Sequence, residues 1–167
     1  MRLYDDVPAA RFEAGSRREK SFLAGCQVDG APVRKAVEFY QLQGGMAQYA
    51  LIGGQFEPAP VDSLTVRVDV SPPEQRDNAP SREALTSVFA RLPEDVVDHV
   101  LEGIADYQRH DVLPGGLLTI DRCATSELDT SPFAVRHTAG VLIAVITATV
   151  RDEDVEHALN RWYLPPI

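Results

Sequence analysis

Two cysteines, four histidines and a few serines beside carboxylates are the residues of this chain with the chemistry for covalent or metal catalysis. Cys123 would need an imidazole close by to act as a nucleophile, and Ser126 would need His137 and an aspartate to build a triad. Neither sits in a signature such as Gly-x-Ser-x-Gly. His99, His110, His137 and His157 show no i, i+4 pair and no carboxylate at ligand spacing. Cys26 and Cys123 form no Cys-x-x-Cys, so no metal centre and no cofactor is expected, and both read as free thiols. Two other features suit binding. Gly44-Gly45 either cradles a phosphate through backbone amides or turns the chain between two strands at positive φ. Asp129-Thr130-Ser131 either touches RNA or a partner, or caps a helix opening at Pro132. In both cases the local structural role is sufficient by itself.

These groups must be carried by a chain of 167 residues, the length of one ordinary domain, with 44% apolar and 25% charged residues. Sixteen Lys+Arg against twenty-five Asp+Glu give a formal charge of −9 and a pI near 4.8. That balance disfavours generic nucleic-acid binding, because phosphate is repelled on average. Fourteen of the sixteen bases are arginine. The first residues lack the apolar core of a signal peptide, and the run Val141–Ile146 is too short to span a bilayer. A cytoplasmic protein with no membrane partner is the expectation.

Residues 1–30 read as an irregular extension, with Arg17, Arg18, Glu19 and Lys20 as a solvated charge run. Residues 32–41 read as a strand entering the Gly44-Gly45 turn, and a second strand runs from about Gln48 to Glu57. Leu64, Val66, Val68 and Val70 alternate with Thr65, Arg67 and Asp69, the pattern of a half-buried strand. Residues 71–80 form a loop, and Ser81 is placed to cap a short helix to about Ala90. Pro93 suits the first turn of a longer helix, with Glu94 and Asp95 favourably set at its positive end. Val96, Val97, Val100, Leu101 and Ile104 are its apolar stripe. Pro114-Gly115-Gly116 turns into a strand, Leu117 to about Arg122, and Ser131-Pro132 opens another helix. The β-branched stretch 141–150 fits either a buried strand or the continuation of that helix. Residues 151–167 read as a short helix and tail.

Three segments carry a family resemblance. Gln43-Gly44-Gly45-Met46-Ala47-Gln48-Tyr49-Ala50, followed by Glu57-Pro58, resembles the Gly-Gly-x-Gly-Gln-Tyr segment and following Glu-Pro of translational elongation factor G. Leu92-Pro93-Glu94 through Val100 to Gly103 resembles that family's Ile-Pro-Lys-Glu helix and its glycine ten residues past the proline. Asp129-Thr130-Ser131, then Phe133-Ala134, resembles its Asp-Ser-Ser-Glu-Leu-Ala-Phe. The three occur in the family's order over residues 33–145, and the domain-IV-like unit is bounded at 31–150.

The resemblance implies an α+β fold: a mixed four-stranded sheet, helices on one face, and a left-handed βαβ crossover. In the full-length factors and the related ribosomal protection proteins, this domain reaches the decoding centre and mimics part of a transfer RNA. Its tip combines the glycine-rich loop with the loop before the Asp-Ser-Ser helix. Here Met46 and Ala47 follow the glycines, so the family's tip arginine is absent. The loop around Ala124, Thr125, Ser126 and Glu127 is shorter and lacks the tip histidine. There is no Walker A sequence. The expectation is therefore a non-enzymatic, stand-alone binding domain, without the GTPase, whose ribosomal partner is implied by resemblance. Its contact loops would be Gly44, Gly45, Gln48 and Tyr49 with Ser126, Asp129, Thr130 and Ser131. The alternatives are a small-molecule enzyme on the same scaffold and a protein–protein adaptor with an acidic face.

Overall fold

The computed structural model describes residues 1–79 and 87–163. Its strands are β1 (Arg2–Tyr4), β2 (Ser16–Leu23), β3 (Val33–Gln43), β4 (Met46–Pro58), β5 (Ser63–Val70), β6 (Val88–Ala90) and β7 (Gly116–Ser126). Its helices are α1 (Glu94–Gln108), α2 (Pro132–Val150) and α3 (Val155–Tyr163). The strands form one mixed sheet in the order β1-β3-β4-β7-β5-β2, with β6 paired to β7. The four expected strands are all present, as β3, β4, β5 and β7. The sheet is seven-stranded rather than four-stranded because the N-terminal segment and residues 88–90 add to it. All ladders are antiparallel except β5–β7, the pair joined through α1.

Alternation decides which face is covered. Leu64, Val66, Val68 and Val70 of β5 point into the core, as do Val37 and Phe39 of β3 and Leu118 and Ile120 of β7. Against that face pack both α1 and α2, through Val97, Val100, Leu101 and Ile104 of the first and Ala134 to Ile146 of the second. The helices cross where side chains are smallest. A Cβ on Gly103 would fall 2.1 Å from the Arg136 carbonyl oxygen of α2.

The stretch 141–150 is helical. Its β-branched residues prefer strands in isolation, but here they continue a helix already capped at Ser131, whose side chain accepts the Ala134 N–H at 3.1 Å. Sheet, α1 and α3 cover it, so an all-apolar circumference is accommodated. Thr138 and Thr147, buried in the core, and the half-buried Thr149 donate to the carbonyls four residues back, at 2.6, 2.8 and 2.8 Å, which satisfies their hydroxyls. By length and hydropathy α2 could cross a membrane, yet 72% of its apolar window is buried between the other elements.

Residues 1–30 are not an irregular extension. The charge run 17–20 lies in β2, an edge strand paired along its whole length with β5. Arg17 reaches Asp69 and Arg67 reaches Glu19, both at 2.6 Å, across that ladder, while Arg18 meets Glu94 of α1 at 2.5 Å. Only Phe22 of β2 is buried, so the strand carried no apolar alternation to be read. Its charges also discourage pairing with another chain. The helix expected from Ser81 begins outside the described residues, and its last part, Val88–Ala90, is strand β6.

Candidate functional site

The β3–β4 hairpin closes through Gly44 and Gly45, at φ +59° and +83°. Two successive positive φ angles mark the tight turn whose twist suits a hairpin, and glycine adopts them without strain. Beside the turn lies the β7–α2 connection. Strand β7 runs on through Ser126, four residues beyond the expected end, so Ala124, Thr125 and Ser126 are strand and the loop is only Glu127–Ser131.

The structure brings the two loops together. Tyr49 N–H donates to the Asp129 carbonyl at 2.8 Å, and the Thr130 hydroxyl donates to the Tyr49 carbonyl at 2.9 Å. The same hydroxyl accepts the Ser126 N–H at 2.8 Å. Ser126 Oγ donates to Asp129 Oδ2 at 2.9 Å and accepts the N–H groups of Leu128 and Asp129. Ser131 Oγ is hydrogen-bonded to Gln48 Oε1 while capping α2. The polar groups singled out in the sequence therefore hold the loops in place. Burial takes the side chains of Tyr49 and Ser126 out of any contact surface. Tyr49 packs with Ala10, Leu51, Val88 and Ala124 beneath the sheet, covered by segments whose structure the sequence had not disclosed.

What the tip presents outward is apolar. Leu42, Met46, Leu128 and Phe133 are 65%, 68%, 83% and 58% exposed. Among the described residues Leu23 is the one other large hydrophobic exposed to this degree, Val61 and Val112 being 43% and 40% exposed. Met46 and Leu128 line one groove of about 410 Å³ together with Ala47, Gln48 and Ser131. Sequence reasoning placed Met46 and Leu128 inside the two loops without singling out either as a contact, and it left Leu42 and Phe133 outside them. Their signal was apolar side chains where turn-flanking and loop positions are ordinarily polar. Of the charges nearby, Asp129 lines the groove, and Glu127 lies 3.5 Å from Arg76 and 3.6 Å from Arg91.

The catalytic candidates are not assembled. Burial pushes the Cys123 thiol up to about 12, Arg91 pulling weakly the other way, so the thiolate nucleophile is not formed at neutral pH. The Cys26 thiol is also raised by burial. His137 lies between Phe133, which stacks on it at 5.6 Å, and Phe39, edge-on at 5.1 Å, and burial lowers its pKa. It serves this aromatic cluster, while Ser126 serves the loop. A second groove, of about 440 Å³, follows α1 and α2 between His99, Phe133 and Trp162. Its charges are tied together: Arg136 meets Asp106 and lies 3.8 Å from Glu102, and His99 meets Glu102 at 3.2 Å. Among the described residues no group of three His, Cys, Asp or Glu side chains is placed to hold a metal ion.

No family model and no curated protein matches this sequence. Among solved structures, a crystal structure of a protein from Thermus thermophilus is similar over 83% of this chain, with 17% identity and a TM-score of 0.48. This chain spans 16% of that protein's length.

Proposed function

We propose that this chain is a binding domain of the kind that forms the fourth domain of elongation factor G, working through its two-loop tip and performing no chemistry of its own. The observation that carries the reading is the convergence of the β3–β4 hairpin and the Glu127–Ser131 loop at one end of the sheet, tied by three hydrogen bonds, Tyr49 N–H to the Asp129 carbonyl, Thr130 hydroxyl to the Tyr49 carbonyl and Ser131 hydroxyl to Gln48. Loops fixed on a rigid scaffold are where binding is concentrated. Support for the family comes from the resemblance of those same segments, and association with ribosomes in the cytoplasm follows from it. The enzyme alternative is disfavoured by a buried, protonated Cys123 and by a groove whose ionisable groups are already paired.

Co-sedimentation with ribosomes through a sucrose cushion tests this. Saturable pelleting of the wild type, retained by Cys123→Ala and lost in a tip variant, supports the proposal. Absence of pelleting removes the translation reading. Turnover in a hydrolase or kinase screen that disappears with Cys123→Ala would replace the binding domain with an enzyme.

A further inference from the structure

We infer that the tip docks a protein segment, an apolar cluster on a partner flanked by lysine or arginine, rather than a nucleic-acid backbone. The inference rests on the binding-domain reading and specifies the partner of that same site. Three observations point the same way. Four large hydrophobics, Leu42, Met46, Leu128 and Phe133, are exposed at one end of the molecule, where water contact is unfavourable unless something covers them. Met46 and Leu128 line one groove together, so an apolar side chain entering it loses water against both. No lysine or arginine lines the groove among the described residues, and Arg76 and Arg91, which reach the loop, are held by Glu127 at 3.5 and 3.6 Å, so a phosphate seated in the groove meets no cation there.

Charge selects the flanks. Among the described residues Asp129 is the one charged side chain lining the groove, while neighbouring Glu127 is matched by Arg76 and Arg91. The chain as a whole carries −9. A basic flank on the partner is thus drawn in at long range and seated beside charge of the opposite sign, while the apolar centre supplies the affinity. The tip's internal hydrogen bonds already fix its backbone, so little ordering cost is added on docking.

The test pans a phage library of random peptides about 12 residues long against the intact wild-type chain and against Met46→Ser combined with Leu128→Ser. Both replaced side chains are exposed, and unchanged circular dichroism and melting confirm that the variant folds. Enriched peptides should carry two or more large apolar residues flanked by Lys or Arg, and should bind the variant about tenfold or more weakly. A fluorescent A-form RNA hairpin should not bind the tip. The inference is overturned by no enrichment, by enriched peptides that bind the variant equally, by acidic flanks, or by RNA binding that the variant abolishes. It is also overturned if the wild type self-associates in sedimentation equilibrium through the tip and the variant does not, since a second copy would then be the occupant. Loss of ribosome pelleting with peptide capture intact would remove the translation reading and leave this one. The reverse outcome would remove this one alone.

Discussion

Replacing Gly103 by alanine sets two known effects against each other at the helix crossing that positions the tip. Alanine is the better helix former, and in the middle of α1 it should stabilise by about 1 kcal/mol. The new Cβ, however, would lie 2.1 Å from the Arg136 carbonyl oxygen and 3.0 Å from the Ala139 Cβ. A backbone carbonyl cannot swing aside as a long side chain can, so α1 and α2 must separate by roughly 1 Å to restore ordinary contact distance. Overpacking of this type costs typically about 1–3 kcal/mol, and opening the crossing also loosens the contacts of Val100 and Ile104. Against rigid backbone the upper part of that range applies, about 2–3 kcal/mol, and subtracting the propensity gain of about 1 kcal/mol leaves a net loss of about 1–2 kcal/mol. Gly140→Ala provides the comparison. Its Cβ meets the Gly103 carbonyl oxygen at 3.2 Å and Trp162 at 3.7 Å, distances that a shift of a few tenths of an ångström relieves. There the propensity gain should nearly cancel the crowding. Urea unfolding of both variants reads the difference directly. A Gly103→Ala protein as stable as the wild type, or less affected than Gly140→Ala, would show that the two helices are not in backbone contact at this point.

Leu101→Ala should cost about 2–5 kcal/mol in denaturant unfolding, because the side chain is buried beneath α1; a loss under about 1 kcal/mol would misplace the apolar stripe. Gly45→Val should disturb only the tip, since φ +83° is unfavourable for a β-branched residue by about 1–2 kcal/mol. Amide shifts confined to residues near the turn would show this, and shifts spread through α1 would contradict it. A thiol reagent should modify Cys26 slowly and Cys123 only after unfolding, given the burial that raises both; fast labelling of Cys123 in the native protein would refute its placement. The Arg136 hydrogen bond lowers the Asp106 pKa in the folded state. Its contribution is therefore present above the unfolded carboxylate range and lost as pH falls through the lower folded value. Asp106→Asn should cost up to about 1 kcal/mol at neutral pH and nothing in strong acid, as urea unfolding at the two pH values would reveal.

The parts of the fold legible in the sequence were those with one-sided periodicity. The two-residue alternation of Leu64–Val70 and the stripe Val97–Ile104 each have one wet face, so pattern and burial coincide. Ser131-Pro132 was legible because a cap is local chemistry. Strand β2 was not, because an edge strand with one buried residue shows no period. The helix at 141–150 was ambiguous for the opposite reason, being buried on every side. In the site, the loops could be named from their glycines and capping residues, but their roles could not. Ser126, Asp129 and Thr130 direct their hydrogen bonds to one another and to Tyr49, while Met46 and Leu128 are left facing out.

Ribosome co-sedimentation of the wild type beside the Met46→Ser, Leu128→Ser variant bears most directly on the claim that this domain works by binding through its tip. The account predicts saturable pelleting of the wild type that the variant loses while keeping its melting temperature. Equal pelleting of the two proteins, or none by the wild type, would contradict it.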